Sequence, residues 1–104
     1  MAPNAIPELL EQIDELLAEP AEEPASLARL ERTLTDGYAY ALALEAERWR
    51  LERRIGEVAR GDGGDPAAEI RRLGSRLTHA DGELQRLRSV LESLADRARA
   101  LRTR

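Results

Sequence analysis

Two long stretches of the chain place apolar residues at alternating steps of three and four. The first runs through Leu27, Leu30, Leu34, Gly37, Ala41, Leu44, Arg48, Leu51, Ile55 and Val58. The second runs through Ile70, Leu73, Leu77, Ala80, Leu84, Leu87, Leu91, Leu94, Ala98 and Leu101. Spacing of this kind, held over four heptads, puts a narrow apolar seam on one side of a helix and is the pattern of a coiled coil. It predicts helices over about 25–60 and about 67–102. A shorter stretch carries Ile6, Leu9, Leu10, Ile13, Leu16 and Leu17, a wider apolar face that predicts a third helix over about 5–19.

Proline and glycine mark the boundaries. Pro7 suits a first helical turn, and Glu8 and Glu11 sit favourably near that helix's positive end. The segment Pro20 to Pro24 is too proline-rich to stay helical and reads as a short stiff linker. Gly61 to Pro66 reads as a turn that ends in an N-cap, Asp65, and an N1 proline, Pro66. Folding the chain at this turn pairs positions whose numbers sum to 128. Val58 then meets Ile70, Leu51 meets Leu77, Leu44 meets Leu84, Leu34 meets Leu94 and Leu27 meets Leu101. Small residues fall opposite large ones, Gly37 on Leu91 and Ala41 on Leu87, which keeps layer volume even. Arg48 falls opposite Ala80, where its stem has room to lie along the seam and its head to reach water. Asp36-Gly37 and Asp81-Gly82 are turn signals, and each glycine costs about 1 kcal/mol inside a helix. The heptad phase passes both without a skip, so the helices are expected to continue through them. The fold class is therefore all-α: one domain over 1–104, a long antiparallel helical hairpin with a short N-terminal helix.

A hairpin buries one stripe per helix, which leaves helix 1 something to cover. Folded back along the start of helix 2, it reaches Tyr38 to Tyr40 and brings its acids toward Arg86, Arg88, Arg97, Arg99 and Arg102. The segment Gly37 to Leu44 is apolar or small on nearly every side and calls for further neighbours. A second stripe, Tyr38, Leu42 and Trp49, lies off the seam, and its last two residues fall beyond helix 1. Exposed aromatics on one helix stripe are typical interface anchors. These three are the candidate interaction residues, and the expected partner is a second copy of the chain or another helical protein.

Composition agrees with long helices rather than a conventional core: 35% of residues are charged and 3% aromatic. The net charge of −4 is unevenly spread. Seven acids and no base occupy residues 1–24, whereas six arginines and two acids follow Leu84, so the two ends are expected to meet. All sixteen basic residues are arginine, a usage that fits a high-GC genome. With no cysteine, disulfides and thiolate chemistry are excluded. There is no apolar run of the roughly 20 residues a membrane span needs and no signal-peptide pattern at Met1 to Asn4, so a cytoplasmic location is expected.

Candidate chemistry is sparse. His79 is the sole histidine and falls on an outer face near Asp81 and Glu83, without the converging ligands of a metal or catalytic site. Gly61 to Asp65 lacks the Lys-Ser/Thr of a phosphate loop and the acidic ladder of a calcium loop. Arg53-Arg54, Arg71-Arg72 and the C-terminal arginines are interleaved with acids, a pattern of ion pairing along helices rather than of a basic face. The abundant carboxylates fall on solvated faces. No catalytic, cofactor-binding or metal residue is assigned, and no small-molecule substrate or membrane partner is evident. The expected role is a non-enzymatic interaction or scaffold module. The alternative is an arginine-mediated nucleic-acid-binding regulatory protein.

Leu30-Glu-Arg-Thr-Leu-Thr-Asp-Gly-Tyr38 and Glu45-Ala-Glu-Arg-Trp-Arg-Leu-Glu-Arg-Arg54 resemble segments of the uncharacterised small helical-hairpin proteins of high-GC actinobacteria, a likeness over about a quarter of the chain that implies no activity. The secreted Trp-X-Gly hairpin proteins carry that motif in their turn and a Tyr-X-X-X-Asp signal in their tail. Here Trp49 precedes Arg50-Leu51 and no tyrosine follows Tyr40. Helical chorismate mutases share only a faint likeness at Ile13 to Leu17, and helix 1 has no cation for their dianionic substrate.

Overall fold

Each long helix begins where a side chain accepts a hydrogen bond from one of the amides that the first helical turn leaves without a partner. Ser26 Oγ accepts from the Arg29 amide at 3.2 Å, and Asp65 Oδ1 accepts from the Ala68 amide at 3.3 Å, with Pro66 following in the first helical position. The computed structural model describes residues 5–19, 26–61 and 65–103. The expected linker from Pro20 to Pro24 and residues 62–64 of the expected turn lie outside them. Among the described residues the fold is all-helical, with α1 at Ala5–Ala18, α2 at Leu27–Ala59 and α3 at Pro66–Arg102. α2 is capped at Arg60 and followed by Gly61, whose φ of 90° lies in the left-handed region that closes helices at low cost only for glycine. Both Asp-Gly pairs lie inside unbroken helix.

α2 and α3 pack along most of their length, in a molecule 60 × 19 × 18 Å. Their cross-helix ion pairs run in opposite chain order. Arg54 meets Glu69 at 3.3 Å, Glu47 meets Arg76 at 3.1 Å, Arg48 meets Asp81, Glu45 meets Arg88 and Glu31 meets Arg102 at 3.6 Å. Between them, all the heptad positions named above are buried or half-buried. The core has two parts. Leu51, Val58 and Leu73 pack with Ile55, Ile70 and Leu77 toward the turn. A larger cluster at the other end joins Leu30, Leu34, Leu84, Leu87, Leu91 and Leu94 to Ile6, Leu9, Leu10, Ile13 and Leu16 of α1. Arg48 lies between the two, its side chain half-buried along the seam and partly open to water as expected. Its Nε is closed off beside Asp81 and its Nη2 lies 3.5 Å from Glu52, so the head is held by carboxylates of both helices.

α1 rests mainly on α3, with Ile13 and Leu16 excluded from solvent. The Leu16 carbonyl in its last turn accepts from the Glu19 amide at 3.4 Å and from Arg97 Nη1 at 2.9 Å, the latter a cation at the negative end of the helix. Asp14 meets Arg86 at 3.3 Å, and Glu19 meets Arg29 at 3.2 Å. The expected gathering of α1 acids around five C-terminal arginines is therefore reduced to the one pair of Asp14 with Arg86, while Arg97 meets a backbone carbonyl of α1. Arg88, Arg99 and Arg102 pair with Glu45, Asp96 and Glu31, because neighbours along and across the long helices lie nearer than α1.

Gly37 is the glycine that packing demands. A Cβ built there would overlap Leu91 Cδ2 and stand 3.2 Å from its Cγ, whereas at Gly74 and Gly82 it would meet nothing within 4 Å. Gly82→Ala is therefore expected to gain about 1 kcal/mol from helix propensity. Gly37→Ala makes the same gain but overpacks a buried leucine at a cost of about 1–3 kcal/mol, so its net effect is destabilising or near zero. Denaturant midpoints of the two variants check this. Equal stabilisation of both would mean that the helices do not approach so closely at Gly37.

Candidate interaction surface

Residues four and eleven apart fall within about 40° of one another around a helix with 3.6 residues per turn, so Tyr38, Leu42 and Trp49 share one face of α2. That face is turned away from α1 and lies to one side of α3. The structure leaves all three open to solvent, at 52%, 66% and 65% exposure. They are the large hydrophobic side chains that the fold does not cover among the described residues. Tyr40, two positions from Tyr38, is half-buried against the core instead, in a groove with Ile6 and Leu44. α1 thus reaches about one turn beyond the expected Tyr38 to Tyr40 limit, but on the opposite face from Trp49.

Three features around the stripe escaped the sequence reading. Arg53 places its guanidinium carbon 5.8 Å from the centre of the Trp49 ring, within cation–π range. Its signal was present as an i, i+4 spacing. A shallow groove beside the stripe is lined by Tyr38, Ala41, Leu42 and Leu91, with Glu45, Arg88 and Glu92 at its rim. Its floor is core, since Leu91 is 2% and Ala41 7% exposed. Glu45 and Arg88 pair across the two helices at the end of this groove. Neither the groove nor this ion pair belongs to a pattern along one helix, so periodicity could not reveal them. On the other flank, Ala39, Ala43 and Ala46 are exposed and present no bulk.

Much of the remaining charge on the described surface is paired. Glu47 meets Arg50 at 2.9 Å and Arg76 at 3.1 Å, and Arg54 meets Glu57 at 3.4 Å as well as Glu69. Hydrogen bonds to Glu69 and Glu57 hold the Arg54 guanidinium above its already high ordinary pKa, so it stays charged. His79 is solvated, with Nε2 3.3 Å from Glu83. Among the described residues no group of three or more His, Asp or Glu side chains is arranged to hold a metal ion. No described helix is long and apolar enough to cross a membrane.

The stripe carries no load in the fold of a single chain. In dilute protein, Leu42→Ala and Trp49→Ala are expected to shift unfolding free energy by no more than about 0.5 kcal/mol, apart from a small helix-propensity gain. Leu87→Ala, at a site with no solvent exposure, should cost about 2–5 kcal/mol. Chemical denaturation of the three variants decides it, and a large loss at Trp49 would assign the indole to the core.

Comparison of the chain with known protein families, with curated proteins and with solved structures finds no match in any of the three.

Proposed function

We propose that this chain is a non-enzymatic interaction or scaffold module of the cytoplasm that self-associates through Tyr38, Leu42 and Trp49, presented by an antiparallel coiled coil of α2 and α3. The observation that carries the reading is the exposure of all three side chains on one helix face, in a chain with only three aromatic residues. Burying a leucine or a larger apolar side chain is favourable by about 1.5–3 kcal/mol. Two copies meeting here would bury six such groups, against an association cost of about 4–15 kcal/mol. The balance favours a reversible contact over an obligate one. Flanking alanines allow close approach, and Arg53 holds one side of the indole in place.

The arginines support this reading over nucleic-acid binding. Phosphate recognition calls for unpaired cations aligned on one face. Here Arg48, Arg50, Arg54, Arg76, Arg86, Arg88 and Arg102 each lie within 4 Å of a carboxylate.

Sedimentation or light scattering over a range of concentrations tests the proposal. The wild-type chain should pass from one mass to a multiple of it, and the Leu42→Ala, Trp49→Ala double variant should stay at the single-chain mass. Added salt should leave the transition in place or strengthen it, because the contact is apolar. A wild-type chain that is monomeric throughout, or a transition unchanged in the double variant, removes the proposal. Binding to labelled DNA or RNA that weakens steeply with salt would put the arginine reading in its place.

A further inference from the structure

We infer that Trp49 of a second copy of this chain seats in the groove lined by Tyr38, Ala41, Leu42 and Leu91, with the two α2 helices antiparallel, so that each copy gives one indole and receives one. This rests on the self-association proposed above and supplies its geometry.

Knob and groove lie on the same face of α2, their centres about nine residues or ~13 Å apart along the helix. A two-fold axis halfway between them, near Glu45, carries each knob over the other copy's groove. This is the self-complementarity that a closed two-fold contact requires. The groove suits an indole chemically. Its floor, Leu91 and Ala41, is apolar and already packed from beneath, and its rim holds the carboxylates of Glu45 and Glu92. A buried indole N–H needs an acceptor, and those carboxylates supply one.

Charge selects the direction. In a parallel pairing every residue of the stripe faces its own copy, which sets Glu31 on Glu31, Glu45 on Glu45 and Glu52 on Glu52 without relief along the whole contact. The antiparallel pairing brings only Glu45 near its counterpart, and there each Glu45 is already paired to Arg88 of its own chain. Toward the ends, Glu31 of one copy comes level with about Arg60 of the other, so opposite charges meet where like charges would otherwise lie. Ala39, Ala43 and Ala46 leave the flank free of side chains that would hold the helices apart.

The chain contains one tryptophan and no cysteine, which makes both the indole and introduced thiols clean probes. As concentration rises, Trp49 emission should shift to the blue and become protected from acrylamide in step with the doubling of mass. Leu42→Glu, a substitution in the groove wall seven residues from Trp49 at an exposed site, should abolish both changes while circular dichroism stays helical. Independently, Thr35→Cys and Gly56→Cys chains, each otherwise wild type and nearly level across the two-fold axis, should form a disulfide-linked pair when mixed and little when oxidised alone. A doubling of mass with Trp49 emission and quenching unchanged overturns the seating, as does self-linking by each cysteine chain, and both leave the self-association itself standing. Absence of any doubling overturns the seating together with the reading it rests on.

Discussion

A helix of more than thirty residues is held in water chiefly by what it lies against, and α2 lies against α3 for nearly its whole length. That contact is the constraint from which the other features follow. Its apolar layers are thin, one side chain from each helix, and the molecule is only 18–19 Å across. A structure so narrow has no interior in which to hide an error of register. A shift of one residue would rotate the seam by about 100° and expose leucine along the full length of both helices. The close approach of Gly37 to Leu91 fixes the register at one point, and the capped helix starts at Ser26 and Asp65 limit how far the segments can extend.

The seam was legible because it is a property of each helix by itself. A three-four repeat survives whatever the neighbours do, and every position it picked out is buried or half-buried. Helix ends were legible to within one or two residues, since proline, glycine and capping side chains act locally. What the sequence did not disclose depends on pairs. Arg48 reaches water in part, as its place opposite Ala80 implied, but the carboxylates that hold it, Asp81 and Glu52, could not be read from the seam alone. The acidic N-terminal stretch and the arginine-rich end were expected to meet broadly. They touch through Asp14 with Arg86 and through the Leu16 carbonyl with Arg97. Net charge by segment is blind to the competition that decided this, in which Arg88, Arg99 and Arg102 have carboxylates of the long helices nearer to hand than those of α1.

The candidate site divides in the same way. Tyr38, Leu42 and Trp49 could be picked out because their spacing puts them on one face and off the seam, and that face is indeed uncovered. The groove beside them could not, because its floor combines Ala41 of α2 with Leu91 of α3 and its rim joins Glu45 to Arg88 across the two helices. Buried Thr33 shows the same limit from the other side. Its hydroxyl donates to the Arg29 carbonyl at 3.0 Å within its own helix, which satisfies the polar atom and lets an unpromising residue be buried.

Fold and surface are separable in this chain, and the reason is geometric. α1 occupies one side of the α2–α3 pair, where Ile6, Ile13 and Leu16 complete the larger core cluster. The opposite side receives no helix among the described residues, although Tyr38, Leu42 and Trp49 make it the most apolar surface left to α2. Had those residues served the fold, a second covering segment would be needed there, and the described helices leave none to supply it. Exposed leucine or tryptophan taken singly is ordinary on protein surfaces. Three on one face, beside a groove floored by core residues and flanked by a Glu45–Arg88 pair already formed within the chain, make a surface whose apolar groups lack cover. Such a surface gains by desolvating its hydrocarbon while the Glu45–Arg88 pair stays at the rim, which is the arrangement of an apolar centre and polar edge under which contact with another helix becomes favourable.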